Sequence, residues 1–285
     1  MDFLIKLYNF LTTVWNTPKL FGVYHIICIL SIIVLTSLIC SRMKDCSDGT
    51  ERRFCAAVWL IMLLFEIYKQ LIHGLSVEDG KFVWDYAWYI FPFQFCSSPL
   101  YILPIIAFAK SEKLRDACAA YLITFSLFAG LAVFCYPGDV FTETVGVNLQ
   151  TMVHHGSQIL IGVFLAVKYK EKFERRFFFG GVAVFVVMTF VAMALNIAAH
   201  YAFIEYGIDE TFNMFYISPY FDCTLPLLSV VYQLLPYAAF ICVYFFGFIL
   251  CSLIVYGIVY GFARLIERNS RYRARVRYSL RNKQS

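Results

Sequence analysis

The chain has 285 residues, of which 61% are hydrophobic and only 15% are charged, and its formal net charge is +5. Its mean hydropathy is +0.69. A soluble domain must keep its exterior polar, so this composition excludes a soluble protein and indicates an integral membrane protein.

Apolar windows of about 20 residues recur along the chain, and each could cross a hydrocarbon core of about 30 Å as a helix. They lie near residues 20–41, 54–74, 88–109, 116–136, 149–168, 177–203 and 234–263. We therefore predict an all-α fold in which residues 1–263 form a polytopic seven-transmembrane-helix bundle. Residues 264–285 would form a basic cytoplasmic tail.

The distribution of Lys and Arg predicts the orientation of the bundle. Of the 24 such residues, 20 fall in the first, third and fifth loops and the tail, three fall on the opposite side, and Lys69 lies within a window. Because positive residues favour the cytoplasmic side, the N-terminus is expected outside and the C-terminus inside. The basic tail could recruit a nucleic acid or signalling partner, but such clusters more commonly fix topology and contact anionic lipids.

The ten Cys residues show no metal-ligand spacing, so we expect no metal and no cofactor. Cys135 and Cys223 both fall on the predicted outer side, where a disulfide between them is one open alternative. Residues 205–233, also on that side, combine acidic with apolar residues and contain no Lys or Arg. We expect this segment to fold over the helix ends as a short cap.

Polar side chains inside membrane spans are costly, which makes them candidates for function. A helix rises about 1.5 Å per residue, and this rise places such residues of four spans at a similar depth in the outer half of the bilayer. Their common depth favours one shared cavity. The residues are Glu66, Lys69, Gln70, His73, Gln94, Cys96, His154, His155, Asn196 and His200.

Each of these residues also has a structural interpretation. Glu66 and Lys69, three residues apart on a helix, more often form a structural ion pair than a catalytic one. Asn196 and His200 fit helix packing and site lining equally well. Adjacent residues point about 100° apart on a helix, so only one of the two neighbouring histidines can face a cavity. Gly156 then permits the close approach of a substrate or a helix.

The order of short motifs resembles a known family. Pro92-Phe93-Gln94-Phe95-Cys96 is followed by His155-Gly156, then Asn196, then Asn213-Met214. This layout is similar to that of the bacterial YwaF-type integral membrane proteins and their eukaryotic relative, transmembrane protein 164. The resemblance implies a membrane-embedded acyltransferase that moves fatty acyl chains onto lysophospholipids.

The resemblance also implies site residues. It matches Cys96 and His155 to a catalytic Cys and His, although Gln94 stands where the bacterial pattern has His. The Cys of the eukaryotic relative corresponds in position to Phe93. Such a pair can form and resolve a thioester. Gln94, Asn196, His154 and Asn213 are then expected to bind substrate or the oxyanion, and Glu66, Lys69 and His200 to line the cavity.

The expected partners are phospholipid and lysophospholipid substrates and membrane lipids, with no nucleic acid. The expected location is a bacterial cytoplasmic membrane. An outward-facing site has no access to cytoplasmic acyl-CoA, so the expected reaction is a transacylation between phospholipids.

A seven-helix receptor and a retinal protein share the predicted topology. A receptor is disfavoured because no Asp-Arg-Tyr-like motif ends the third span, and a retinal protein because residues 234–263 contain no Lys. A proton- or solute-coupled transporter stays open, since Glu66, Lys69 and His155 could bind a proton or solute. A lipid-binding, non-catalytic membrane protein is the third alternative.

Overall fold

The computed structural model describes residues 2–138 and 140–281, with side chains for residues 3–138 and 140–265. This part of the chain is mostly helical. The helices are α1 (Asp2–Leu11), α2 (Val23–Met43), α3 (Asp48–Gly74), α4 (Pro99–Phe108), α5 (Glu112–Tyr121), α6 (Leu127–Cys135), α7 (Val145–Lys168), α8 (Arg175–Tyr206), α9 (Leu228–Leu234) and α10 (Tyr237–Arg281). A two-stranded antiparallel hairpin, β1 (Leu75–Glu78) and β2 (Lys81–Trp84), follows α3.

Within the described residues, five helical stretches are long and apolar enough to cross a membrane. They are Val23–Met43, Asp48–Gly74, Glu112–Cys135, Arg175–Tyr206 and Tyr237–Leu265. These correspond to the predicted windows near 20–41, 54–74, 116–136, 177–203 and 234–263. The chain is therefore a multi-pass helical membrane protein.

The prediction of one continuous helix over residues 88–109 was wrong. Residues 85–98 contain two short 3-10 turns, Trp88–Ile90 and Phe95–Ser97, and only Pro99–Phe108 is α-helical. Pro92 explains the break, because proline disfavours helical dihedrals in the preceding residue, and Phe91 has a ψ of 134°. Cys96 therefore precedes α4, although it falls inside the predicted window 88–109.

Helix α7 covers the predicted window 149–168 but differs in character from the five apolar helices. Sixteen of its 24 residues are buried, so it is enclosed by protein on most sides. It packs against α2, α3, α6 and the turn between α5 and α6. Its polar first half therefore faces other helices, as expected for a helix at the centre of a bundle.

A single wide turn interrupts the span Glu112–Cys135. Residues Leu122–Ser126 form a π-helical turn between α5 and α6, in which the Leu127 amide donates to the Leu122 carbonyl five residues back. All five residues are buried, and the turn packs against α7 and α10. Such turns are rare and often lie near functional sites.

The segment after α8 forms the predicted cap. Gly207, with φ of +64°, ends α8 in the left-handed conformation that glycine adopts without steric cost. The chain then returns over the bundle, and Met214 and Phe215 are fully buried in the core. Cys135 is exposed and Cys223 is buried, and both carry free thiols.

Two elements were not predicted from the sequence. Helix α1 precedes the first span, and the β1–β2 hairpin turns at Asp79 and Gly80, which both have positive φ, as a tight two-residue hairpin requires. At the other end of the chain, α10 continues to Arg281 through most of the predicted tail, whose last residues, 282–285, lie outside the described residues.

Candidate active site

Cys96 lies in the 3-10 turn Phe95–Ser97 that leads into α4. It is partly buried, and the neighbouring Ser97 and Ser98 are buried. The Tyr121 hydroxyl at the end of α5 donates a 2.8 Å hydrogen bond to Ser98 Oγ. The turn that carries the thiol is thus fixed on one side by the span Glu112–Cys135.

On its other side, this turn is held by two side chains of α7. His154 Nε2 lies 2.9 Å from the Cys96 carbonyl oxygen, and Gln158 Nε2 donates to the same oxygen. Irregular backbone at membrane depth is tolerated only where protein pairs its polar groups. His154 and Gln158, one helical turn apart, supply this pairing for Cys96.

The hydrogen bonds of the two histidines identify which ring nitrogens are free. A carbonyl only accepts, so in the neutral imidazole of His154 the Nε2 carries the hydrogen and Nδ1 keeps its lone pair. His155 Nδ1 lies 2.8 Å from the Thr151 carbonyl, which leaves its Nε2 as the free acceptor. Among the described hydrogen bonds, neither imidazole contacts the Cys96 thiol.

A charged network on α3 lies beside this cluster. Lys69 Nζ is 2.8 Å from Glu66 Oε1, which also accepts a 2.6 Å hydrogen bond from Gln70 Nε2. Tyr86 in turn donates to Gln70 Oε1. Glu66 is buried, and Lys69 and Gln70 supply the partners that a carboxylate in such a position requires.

Three amide side chains hold the cap in place. Asn196 donates to the Met214 carbonyl at 3.0 Å and accepts from the Met214 amide at 2.7 Å. Gln94 donates to the Asn213 carbonyl and accepts from the Phe215 amide, both at 3.2 Å. Asn213 itself accepts from the Ser218 amide at 2.9 Å. Gln94 and Asn196, which were predicted to bind an oxyanion, therefore each use one donor hydrogen and one acceptor lone pair on backbone groups of the cap.

This pairing keeps the cap in an unusual conformation. Phe215 and Tyr216 have φ of 58° and 57°, a left-handed region that bulky side chains rarely adopt. Such conformations persist only where the surroundings fix them, and they concentrate at functional sites. Phe215 also packs against Phe93 and Phe95, at ring-centroid distances of 5.8 and 5.5 Å. The cap and the Cys96 turn are thus one packed unit.

His200 is not part of this cluster. Its ring stacks on Tyr220 at a centroid distance of 3.4 Å, and it lines an open groove of about 550 Å³ at the end of α8. The residues expected to share one cavity therefore fall into separate groups. His154 holds the Cys96 turn with His155 next to it, and Glu66 pairs with Lys69 on α3. Gln94, Asn196 and Asn213 support the cap, and His200 stacks on Tyr220.

The family model of the TMEM164 family matches residues 20–260, which cover most of the chain. The chain belongs to the TMEM164 family. Neither a curated protein nor a solved structure matches it. In this member of the TMEM164 family, all the residues of the candidate site fall inside the matched region. Among the side chains that the structure describes, those of residues 3–138 and 140–265, no three His, Cys, Asp or Glu residues are grouped so that they could hold a metal ion.

Sequence reasoning missed three residues of this TMEM164-family site. Gln158 lies four residues after His154, so helical spacing could have indicated that both reach the same neighbour. Tyr121 and Ser98 meet across 23 residues of sequence, and nothing local signalled that contact. The assignments of Cys96 and His155 as catalytic stay predictions, because the geometry fixes their positions but not their chemistry.

Proposed function

We propose that the protein is a membrane-embedded acyltransferase that moves fatty acyl chains between phospholipids and lysophospholipids. One observation carries the proposal: the carbonyl of Cys96 is hydrogen-bonded by His154, so the residue with the thiol is fixed against the buried histidine pair. A thiol and an imidazole base are the groups that acyl transfer through a thioester uses. The resemblance to acyltransferases, noted from the motif order, adds support.

In the proposed reaction the Cys96 thiol gives its proton to an imidazole and attacks the ester carbonyl of a donor phospholipid. The ester C–O bond breaks, and the lysophospholipid leaves with the proton from the imidazolium. A second lysophospholipid then gives its hydroxyl proton to the imidazole and attacks the thioester. The C–S bond breaks, a new ester forms, and the proton returns to the thiol.

The roles of the two histidines differ in this proposal. His155 is the general base, because its Nδ1 contact with Thr151 orients the ring and leaves Nε2 with a lone pair. His154 is a positioning residue that holds the Cys96 turn. Lys69 stabilises the thiolate by its charge. A role for Gln94 and Asn196 at the oxyanion would use the second hydrogen of each amide nitrogen.

We further propose seven crossings with the N-terminus outside and the C-terminus in the cytoplasm. Helix α7 and the shorter apolar stretch Phe95–Phe108 would add two crossings to the five apolar helices, and the asymmetry of Lys and Arg supports the orientation. The site would then face the outer leaflet, so the acyl donor would be another phospholipid. The bacterial cytoplasmic membrane stays the expectation taken from the resemblance.

Turnover by purified protein tests the proposal. Micelles would contain a phospholipid with a labelled acyl chain and an unlabelled lysophospholipid, and label in the newly formed ester would be measured. We expect His155→Ala and Cys96→Ala to abolish transfer, whereas Cys118→Ala, which changes a buried thiol in another span, should not. His154→Gln should retain more activity than His154→Ala, since the amide can still donate to the Cys96 carbonyl.

Trapping tests the covalent step separately. Labelled phospholipid should leave on the wild-type protein an acyl group that hydroxylamine releases, and Cys96→Ser should lose this adduct. Transfer that survives Cys96→Ala but not His155→Ala would instead mean direct attack by the lysophospholipid hydroxyl. Transfer that survives His155→Ala in a folded protein would contradict the assignment of the base.

A transporter is the second candidate. The ion pair between buried Glu66 and partly buried Lys69 and the irregular backbone before α4 favour it, because transporters bind solutes beside discontinuous helices. Uptake into proteoliposomes that depends on Glu66 or Lys69, in a protein without transfer activity, would support this alternative. Binding of lipid without turnover or transport would instead support the non-catalytic interpretation.

A further inference from the structure

Helix α1 has three distinct faces. Ile5 and Tyr8 are half-buried against the protein, and Lys6 and Asn9 point outward on a polar face. The remaining face is apolar and uncovered: Phe3 is 74% exposed and Phe10 75% exposed. Leu4 and Leu7 lie on this same face and are also exposed. A helix of this kind needs an apolar partner for that face.

Hydrogen bonds attach α1 to the end of α3. The Tyr8 hydroxyl donates to the carbonyl of Leu75, the residue directly after α3, at 2.7 Å. The Tyr68 hydroxyl donates to the Leu11 carbonyl at 2.7 Å. Because α3 ends at Gly74, the first bond lies at the end of this span and the second about 9 Å before it.

A second attachment joins the chain after α1 to the start of α7. Val14 and Thr144 form an antiparallel bridge. The Val145 amide donates to the Thr13 carbonyl at 3.0 Å, and the Trp15 amide donates to the Glu143 carbonyl at 2.7 Å. The indole of Trp15 is 73% exposed, and exposed Trp side chains are typical of membrane interfaces.

We propose that α1 is an in-plane membrane anchor whose partner is the lipid surface at the end of the bundle where α3 ends and α7 begins. Phe3, Leu4, Leu7 and Phe10 would enter the acyl-chain boundary, while Lys6 would stay among the headgroups. The helix would also brace the ends of α3 and α7, which carry the Lys69 and His154–His155 clusters. This inference does not depend on acyl transfer.

The lipid surface fits this face better than a second copy of the chain does. Stable protein interfaces bury roughly 800 Å² on each partner, and four side chains of a ten-residue helix cover far less. The attachments of α1 also hold it where the two spans meet the headgroup layer. At that depth an apolar face contacts acyl chains without any further rearrangement.

Photo-crosslinking tests the proposal. p-Benzoylphenylalanine would be introduced at Phe3, Phe10 or Asn9 in full-length protein reconstituted into phosphatidylcholine vesicles. After irradiation, mass spectrometry would measure protein–lipid adducts, and gel electrophoresis would detect protein dimers. We expect several-fold more lipid adduct from positions 3 and 10 than from position 9, because only the first two lie on the exposed apolar face.

Two results would overturn the anchor: equal adducts from all three positions, or dimers as the main product at position 10.

Tyr68→Phe tests the bracing, since it removes only the hydroxyl that binds Leu11. We expect it to reduce the difference between positions 10 and 9, while Tyr206→Phe, at an exposed tyrosine of α8, should not. An unchanged difference in Tyr68→Phe would refute the bracing by that bond.

Discussion

The two ends of the bundle are held together by different chemistry. At the basic end, formed by residues 44–47, 109–111 and 169–174, Lys172 lies 2.8 Å from both Glu112 and Asp116. At the site end, formed by residues 85–98 and 207–227, Asn196 and Gln94 hold the cap through neutral amides. Ion pairs are stable at the solvated end because water still hydrates the charges. At the site end, neutral amides bind buried backbone N–H and C=O groups without the desolvation cost of an ion.

This difference shows how the protein supports irregular backbone inside a membrane. The basic end needs only short connections between helices, and the Arg52 side chain donates to the Ala107 and Ala109 carbonyls at the C-terminal end of α4. The site end instead contains two long irregular segments whose carbonyls and amides must be paired. Mutations at the two ends should therefore differ in both the size and the salt dependence of their effects.

The largest effect is expected for Asn196→Leu. Asn196 is 1% exposed, and its loss would leave the Met214 amide unpaired and the Met214 carbonyl with only the Ile217 amide, at 3.4 Å. Each buried group without a partner costs about 1–3 kcal/mol. The midpoint of thermal unfolding in micelles should fall strongly, and added salt should not change the difference. Asn196→Asp, which keeps an acceptor for the Met214 amide, should be less harmful; an equal loss would mean that this bond contributes little.

Gly146→Ala should have the next largest effect. A Cβ atom at Gly146 would lie 1.9 Å from the Tyr68 hydroxyl oxygen, so Tyr68 would have to move away from the Leu11 carbonyl. Overpacking of this kind costs about 1–3 kcal/mol. Thermal unfolding in micelles would measure the loss, and Gly247→Ala, at a position with no close neighbour, is the control.

The double variant Gly146→Ala with Tyr68→Phe sharpens this prediction. Phe lacks the hydroxyl that makes the shortest contact, so the two changes together should cost less than the sum of the single changes. If the losses of stability of the two single variants simply added in the double variant, the strain would not arise from Tyr68.

Gln158→Met is expected to have a smaller effect. The Cys96 carbonyl loses one of its two donors but keeps His154, so the loss should be about 0.5–1.5 kcal/mol. Combining it with His154→Ala should remove both donors and cost more than the sum of the single changes. The free energy of unfolding of the four proteins in this cycle is the measurement, and simple additivity would argue against a shared role.

The smallest effect is expected for Lys172→Met at the basic end. Burial tends to lower the pKa of Lys172, but the hydrogen bonds and charges of Asp116 and Glu112 outweigh it and raise the pKa above its ordinary value of 10.5. A raised lysine pKa contributes stability that is fully present below 10.5 and is lost only as the pH rises through the folded-state pKa. The bridge is therefore charged at neutral pH.

Because Lys172 is partly exposed, its removal should cost no more than about 1 kcal/mol. High salt should reduce this difference by screening the charges, unlike the difference for Asn196→Leu. Thermal unfolding at low and high salt measures both. Equal salt responses would remove the contrast between the two ends.

The sequence predicted the elements whose signals are local. Apolar windows identified the five long helices, and the persistent apolar residues after α8 predicted a cap. The break before α4 was missed, although Pro92 gave a local reason for it, because the apolar window continued through the proline. Helix α1 was missed because ten residues are too few to form a spanning window.

The candidate site was predicted at the level of residue types and less well at the level of contacts. The depth argument brought Cys96 and His154 to one region, and the His154 imidazole lies 2.9 Å from the Cys96 carbonyl oxygen. The use of Gln94 and Asn196 to bind cap backbone could not be predicted, because it depends on where residues 213–215 return over the bundle. Long-range backbone pairing of this kind has no signature in the spacing of side chains.

The π turn Leu122–Ser126 has a consequence for changes in chain length. A π turn contains about one residue more than an α turn over a similar rise. Deleting one residue within it could restore a regular helix without rotating α6. Gly130, whose missing Cβ leaves room for Gln158, would then still point toward α7. The same deletion after Leu127 would rotate the rest of α6 by about 100° and turn Gly130 away. Between Tyr121 and Gly130, the turn is therefore the stretch where a relative could lose a residue and still keep both Tyr121 on Ser98 and Gly130 on Gln158.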